Sequence, residues 1–392
     1  MRLIEDFNAL PSLCFISASR VIINVWNRRE VTHFIDRRIH ADNEEIFSRN
    51  WKIIEDLVKT FIHRIEGVPP NLLKEMKAMS NLIGIHIMSI RSFAYFAPDS
   101  TNSELEFPIT YWTAYGTVDI KRHEELLVRF NGADFGLRYN LACNDCFEEI
   151  VKELFDLLEV VQREDFLIYD SQRELLSYWT RRQANDLSSF KNSISQDTFV
   201  RDHNYSAHQF AFLYTLLTGN KMGIEYFLNF LSPDNYELVA ENHAHLIAAE
   251  YENRTIYTFF IFLRPNAHFE DAVYLLLSKL DEEKRLQFLR KSPYTFLTMF
   301  LRYPFFGIFS ACANLLIEDL RWQHISLLLN AIYSLEKLKI PLFDLHLFND
   351  LWRICPESAK ADIKTNRENY VWHSERDFLS LLERIKLAER SS

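Results

Sequence analysis

The chain has 392 residues, of which 48% are apolar and 14% aromatic, with a net charge of −10 and only 8 glycines. That much apolar residue buries a large core and excludes disorder, and basic residues gathered only in doublets (Arg28-Arg29, Arg37-Arg38, Arg181-Arg182) argue against a nucleic-acid partner. Glycine far below the roughly 7% of average usage, and never in a phosphate-binding pattern, argues against loops that cradle a nucleotide.

From the N-terminus, LPSLCFISASRVI reads as an amphipathic first helix with Leu13, Ser17 and Val21 on one face. Glu5 and Asp6 stand where a secretory signal would carry its apolar run, which predicts an intracellular, cytoplasmic protein. Between Glu45 and Ile65, the residues Phe47, Trp51, Ile54, Leu57, Val58, Phe61, Ile62 and Ile65 recur at helical spacing. Asp42 and Asn43 are its candidate caps, and Gly67 with Pro69-Pro70 ends it. The polar stretch Ala97 to Pro108 reads as a linker, dividing an N-terminal helical region, 1–96, from a helical-repeat array, 109–392. A weaker break lies from Asp186 to Asn204. Ser232-Pro233 opens a helix with a serine cap and proline in the first turn. Ile256 to Leu263 is the most strand-like run, read as a buried helix segment in so helical a chain. Leu297 to Ile317 carries Arg302 as its one charge, but Pro304 and Gly307 interrupt it, which predicts a buried helix pair joined near Pro304 and no membrane span. Ser374 to Asp377 has the pattern of a capping box before the last helix.

The segments beginning at Leu141, Leu217, His268 and Arg321 form a faint repeat in which Phe147, Asn220, Phe269 and Trp322 correspond. The register places Ile150, Val151 and Leu154, like Val273 and Leu276, on a buried helix face. The unequal separations describe helical hairpins with variable connections. The first copy, Ala142-Cys143-Asn-Asp-Cys146-Phe147-Glu148-Glu149-Ile150-Val151-Lys152-Glu-Leu154-Phe155, resembles the helix-turn-helix of an ankyrin repeat. Cys146 stands where that family prefers glycine, and no T-P-L-H turn is present. The resemblance, shared with arthropod proteins carrying degenerate ankyrin-like regions, implies an all-α, elongated array of helical hairpins, an α-solenoid, and assigns no activity. Leu13, Ser17 and Val21 also resemble the elongin-binding helix of a suppressor-of-cytokine-signalling box. Val68-Pro69-Pro70 resembles its cullin-contact segment, although more sequence intervenes than is usual and the box normally follows the repeats. The alternative for these residues is an ordinary first helix and a helix-ending proline pair.

Five cysteines scattered through a large apolar chain do not make a disulfide framework. Cys143-x-x-Cys146 has no second pair at finger spacing, and His203 and His208 are weak substitutes, so the two read as packed thiols without metal or redox chemistry. His243 and His245 point to different sides of a helix, and the pairs Glu124-Glu125 and Glu282-Glu283 read as solvated faces. No H-E-x-x-H, G-x-S-x-G or P-loop occurs, and no cofactor is expected. The favoured function is a protein–protein interaction scaffold. A substrate adaptor of an elongin/cullin ubiquitin ligase and an enzyme with an unrecognised helical active site are the alternatives.

Overall fold

The computed structural model describes residues 6–7, 10–38, 44–96, 112–113, 116–117, 119–129, 135–167, 174–194, 204–256, 269–302, 304–337, 343–365 and 375–391. Regular structure among them is helical, with 21 α-helices and no strand, so the all-α expectation holds. Contacts gather the chain into two compact units. One is Met1–Ala97, Glu106–Val118 and Ser292–Ser392, and the other is Pro98–Leu105 and Asp119–Lys291. Helices from both ends of the chain therefore share the first unit. The linker expected from Ala97 to Pro108 lies outside the described residues.

The first unit begins with α1 (Leu13–Trp26), α2 (Arg29–Arg38), α3 (Glu44–His63) and α4 (Pro70–Phe96). Ser12 caps α1 by accepting the Phe15 N–H at 3.2 Å. The helix buries Phe15, Ala18, Ile22, Ile23 and Trp26 and turns Leu13, Ser17 and Val21 outward. The α3 span agrees with the periodicity from Glu45, while Asp42 and Asn43 lie outside the described residues. Gly67 follows with φ +79°, and Pro70 opens α4, where its fixed φ suits a first helical position. Trp26 anchors this group: its Nε1–H donates to the Ser80 carbonyl at 3.1 Å, and its ring stacks on Trp51 with centroids 5.6 Å apart. Gly84 in α4 lies beneath the stack, where a Cβ would come within 2.5 Å of the Trp26 ring.

The second unit runs through α5 (Ile120–Arg129), α6 (Phe135–Asn144), α7 (Glu148–Leu157), α8 (Val160–Leu167), α9 (Glu174–Gln183), α10 (Leu187–Ile194), α11 (Ala207–Thr218), α12 (Lys221–Phe230), α13 (Pro233–Ile256), α14 (Phe269–Lys279) and α15 (Glu282–Arg290). Three of its hairpins, α6–α7, α9–α10 and α11–α12, use the same turn. In each, one residue takes the left-handed conformation: Cys146 at φ 55°, Asn185 at 57° and Gly219 at 68°. The next N–H reaches back into the preceding helix, from Phe147 to the Ala142 carbonyl (3.0 Å), from Asp186 to Arg181 (2.8 Å) and from Asn220 to Thr215 (2.9 Å). These are Schellman closures, which satisfy helix-end carbonyls while reversing the chain. Gly219 is doubly constrained, since a Cβ there would also meet the Phe269 ring at 2.3 Å. Helix α9 packs on α6, α7, α8, α10 and α11.

The repeat register is consistent with these helices: Ile150, Val151, Leu154, Val273 and Leu276 are all buried. The break assigned to Asp186–Asn204 needs correction, because α10 occupies Leu187–Ile194. Asp186 Oδ1 accepts the Ser189 N–H (3.4 Å) and hydroxyl (2.7 Å), and Phe190 and Ile194 are buried, so one cap and two anchors make a helix of a polar stretch. Helix α13 starts at Pro233 as expected. Of the strand-like run from Ile256, only Ile256 itself is described, as the end of α13.

The chain then returns to the first unit with α16 (Pro293–Phe300), α17 (Phe306–Leu316), α18 (Trp322–Lys337), α19 (Leu347–Ile354), α20 (Glu357–Thr365) and α21 (Glu375–Ser391). The apolar run Leu297–Ile317 is a buried pair, α16 and α17, joined through Pro304. Among the described residues no helix is long and apolar enough to cross a membrane. Arg384 ties α21 to α18 and α19, donating to both Glu336 oxygens (2.9 and 3.0 Å) and to Asn349 (2.9 Å). Ser374, the expected cap of α21, lies outside the described residues.

Alanine exceeds glycine by about 0.5–1 kcal/mol in helix propensity, so Gly84→Ala would stabilise an unhindered helix. Here the methyl meets two buried, stacked indoles, and overpacking of that kind costs about 1–3 kcal/mol. Thermal denaturation should therefore show Gly84→Ala less stable than the parent; a rise in Tm would contradict the close-packed Trp26–Trp51 stack.

Candidate functional site

The strongest concentration of polar chemistry lies in the second unit, where Arg182 in the last turn of α9 meets α7 and α12. Its Nη2 donates to Glu148 Oε1 at 2.9 Å, and its Nη1 donates to the hydroxyls of Tyr226 (2.6 Å) and Tyr178 (3.3 Å). The Tyr226 hydroxyl donates to Glu148 Oε2 at 2.9 Å. The guanidinium also faces the rings of Trp179, Phe230 and Tyr226, at 4.8, 5.1 and 5.9 Å from their centroids. Burial raises the Glu148 carboxyl, but the Tyr226 hydrogen bond and the Arg182 charge outweigh it and hold it below its usual range. Tyr178 continues the network to His208 Nδ1 at 2.8 Å; burial and the nearby Arg182 charge push that imidazole toward its neutral form.

In front of this network a cleft of about 240 Å³ opens over the α6–α7 turn. Asp145, Cys146 and Phe147 come from the turn, Met222, Glu225, Tyr226, Asn229 and Phe230 from α12, and Lys121 from α5. Lys121 Nζ bridges to Glu225 at 2.8 Å, joining α5 to α12 across the cleft. The α11–α12 turn is fastened to the α6–α7 turn by Asn220, whose Nδ2 donates to the Asn144 carbonyl and whose Oδ1 caps α12 by accepting the Gly223 N–H at 2.9 Å.

Asp145 and Glu124, both half-buried, form a pair of neighbouring carboxyls. Burial raises Glu124 to about 7; burial and the neighbouring Glu124 raise Asp145 well above the usual carboxylate range. The Oδ2 of Asp145 is enclosed and has no hydrogen-bond partner. The Glu124-Glu125 doublet suggests two solvated carboxylates; Glu124 is half-buried with a raised carboxyl, while the more open Glu125 side chain pairs with Arg129 at 3.3 Å. Alternation on a helix cannot tell which member of an acidic doublet turns inward.

Cys143 and Cys146 are both buried, and burial raises their thiols, Cys146 to about 12, so neither is a thiolate near neutral pH. Among the described residues no group of three or more His, Cys, Asp or Glu side chains is arranged to hold a metal. His243 is buried against Tyr205 and His245 is exposed, on different sides of α13 as their spacing requires. His203 lies outside the described residues. Leu13, Ser17 and Val21 share the exposed side of α1, with Leu13 81% exposed; Val68 is half-buried, and Pro69 and Pro70 are exposed. A second cleft, of about 200 Å³ between α17 and α19, holds Asp350 and Arg353, which satisfy each other at 2.6 Å.

Sequence reading missed Arg182, Tyr226 and Asp145. The α9–α10 turn, with Asn185 in the position of Cys146 and Gly219, was the signal that would have brought Arg182 into register with the other hairpins. No protein-family model matches the chain, and no curated protein matches it significantly.

The two raised carboxyls make the folded state bind protons more tightly than the unfolded one. For Glu124 this contribution to stability is complete below about pH 4.5 and is lost as pH rises through the folded value of about 7. Glu124→Gln keeps the neutral form at every pH, and should raise Tm at about pH 8 while changing it little at about pH 4.5. Thermal melts at the two pH values check this; a lower Tm for the variant at the higher pH would contradict a desolvated, uncompensated carboxyl.

Proposed function

We propose that the chain is a protein–protein interaction scaffold whose second unit propagates as a degenerate ankyrin-like, α-solenoid array and binds its partner across the hairpin turns. The observation that carries this reading is the cleft over the α6–α7 turn. The α6–α7 and α11–α12 hairpins, closed by the same backbone device, bring Cys146, Phe147, Met222, Tyr226 and Phe230 together behind a Lys121–Glu225 rim. An aromatic floor with a polar rim is the composition of protein interfaces, in which aromatic residues, methionine and arginine are enriched. The four buried thiols, Cys143, Cys146, Cys312 and Cys355, suit a reducing, cytoplasmic setting.

A second reading, the elongin/cullin adaptor, is favoured by the outward side of α1. Leu13 at 81% exposure and Val21 at 37% stand with Ser17 where a partner's apolar groove can take them. Affinity capture from native cell extract separates the two. The scaffold reading expects a stoichiometric protein lost with Phe230→Ser and kept with Leu13→Asp. The adaptor reading expects elongin and cullin subunits lost with Leu13→Asp and kept with Phe230→Ser. Identical captures by both variants and the parent would contradict both.

A further inference from the structure

We propose that the cleft over the α6–α7 turn is a receptor for one basic side chain, a lysine or arginine presented by a partner protein. This rests on the scaffold reading and names the chemistry of its site. At about 240 Å³ the cleft is smaller than the roughly 300–1,000 Å³ of pockets that enclose drug-sized ligands, which suits a single long side chain better than a cofactor. Its walls supply what such a side chain needs: Phe147, Met222 and Phe230 for an aliphatic stem, and the Tyr226 and Phe230 rings beside the path of a cation.

The Asp145 carboxyl in this lining is unmatched. Asp145 lines the cleft with Oδ2 enclosed and unpartnered, and Glu124 lies near enough to raise its proton affinity. Of the described residues lining the cleft, Lys121 alone is cationic, and it is paired with Glu225; behind the cleft, Arg182 is held by Glu148. Asp145 also follows directly on the last residue of α6, the negative end of that helix, which favours a cation. Two neighbouring, half-buried carboxyls with no counter-ion among the described residues are an unfavourable arrangement, relieved by protons in the free protein and by an ammonium or guanidinium in a complex. The ligand's cation then replaces protons that leave to solvent, and no covalent bond changes. The overall charge of −10 draws a basic partner segment to this molecule.

The test is a titration of the full-length chain with N-acetyl-lysine methylamide and with its uncharged analogue N-acetyl-norleucine methylamide, followed by amide resonances of Cys146 and Phe147. The lysine amide should give saturable shifts at both residues, and the norleucine amide, of similar shape, should not. Asp145→Asn and Glu124→Gln, each checked for parental helicity, should weaken lysine-amide binding by about tenfold or more, the scale of a lost charge-assisted hydrogen bond. N-acetyl-arginine methylamide reports which cation is preferred, and saturable binding of either supports the proposal. Equal response to the lysine and norleucine amides, no response to either cation, or unchanged binding in both carboxyl variants would overturn it. Phe230-dependent partner capture that persists in Asp145→Asn would overturn the basic-side-chain assignment while leaving the scaffold reading standing.

Discussion

The second unit depends on one cation. Arg182 joins three helices that are far apart in sequence, with charged hydrogen bonds in the plane of its guanidinium and aromatic rings around it. Lysine could not replace it, because an ammonium has no planar fork to reach Glu148 Oε1 and the hydroxyls of Tyr178 and Tyr226 together. The position in the last turn of α9 adds a favourable helix-end field, and the Trp179, Tyr226 and Phe230 rings shelter the charge. An ion pair of this kind adds modest net stability against an apolar replacement, but it fixes which helices meet and in what register. Glu148 begins α7 and Tyr226 lies in α12, so the clamp sets the distance between the two helices whose turns build the cleft.

The turns are the second constraint. Each hairpin must reverse direction within two or three residues, and a left-handed residue with a Schellman closure does this while leaving few helix-end carbonyls unsatisfied. Glycine is the cheapest residue there, asparagine is tolerated, and cysteine is strained. That Cys146 holds this conformation means that the surrounding packing enforces it. Its thiol is buried beside Trp179 and Arg182, so the strained turn and the clamp support one another.

The sequence revealed what periodicity and punctuation control. The helices from Glu45, from Pro233 and on either side of Pro304 were legible because caps, proline and glycine mark their ends. The register that matched Phe147 with Asn220 located two equivalent turns, since both residues occupy the N-cap position of the following helix. It passed over the α9–α10 hairpin because Asn185 carries no glycine signal and the serine-rich segment after it looks like a loop. The site was less legible. Arg182 read as half of a basic doublet and Glu124 as half of an acidic one, and Asp145 fell inside a motif noticed for its cysteines. Clamp and cleft arise from side chains drawn from α5, α7, α9 and α12, a juxtaposition that no local pattern encodes.

A double-mutant cycle between Glu148→Gln and Arg182→Met, read by denaturant unfolding, tests the clamp most directly. If Arg182 sets the spacing of these helices through Glu148, the two changes should be non-additive, with a coupling of about 1–3 kcal/mol. Additivity to within about 0.5 kcal/mol would show that the pair is independent and would contradict the claim that this cation organises the unit.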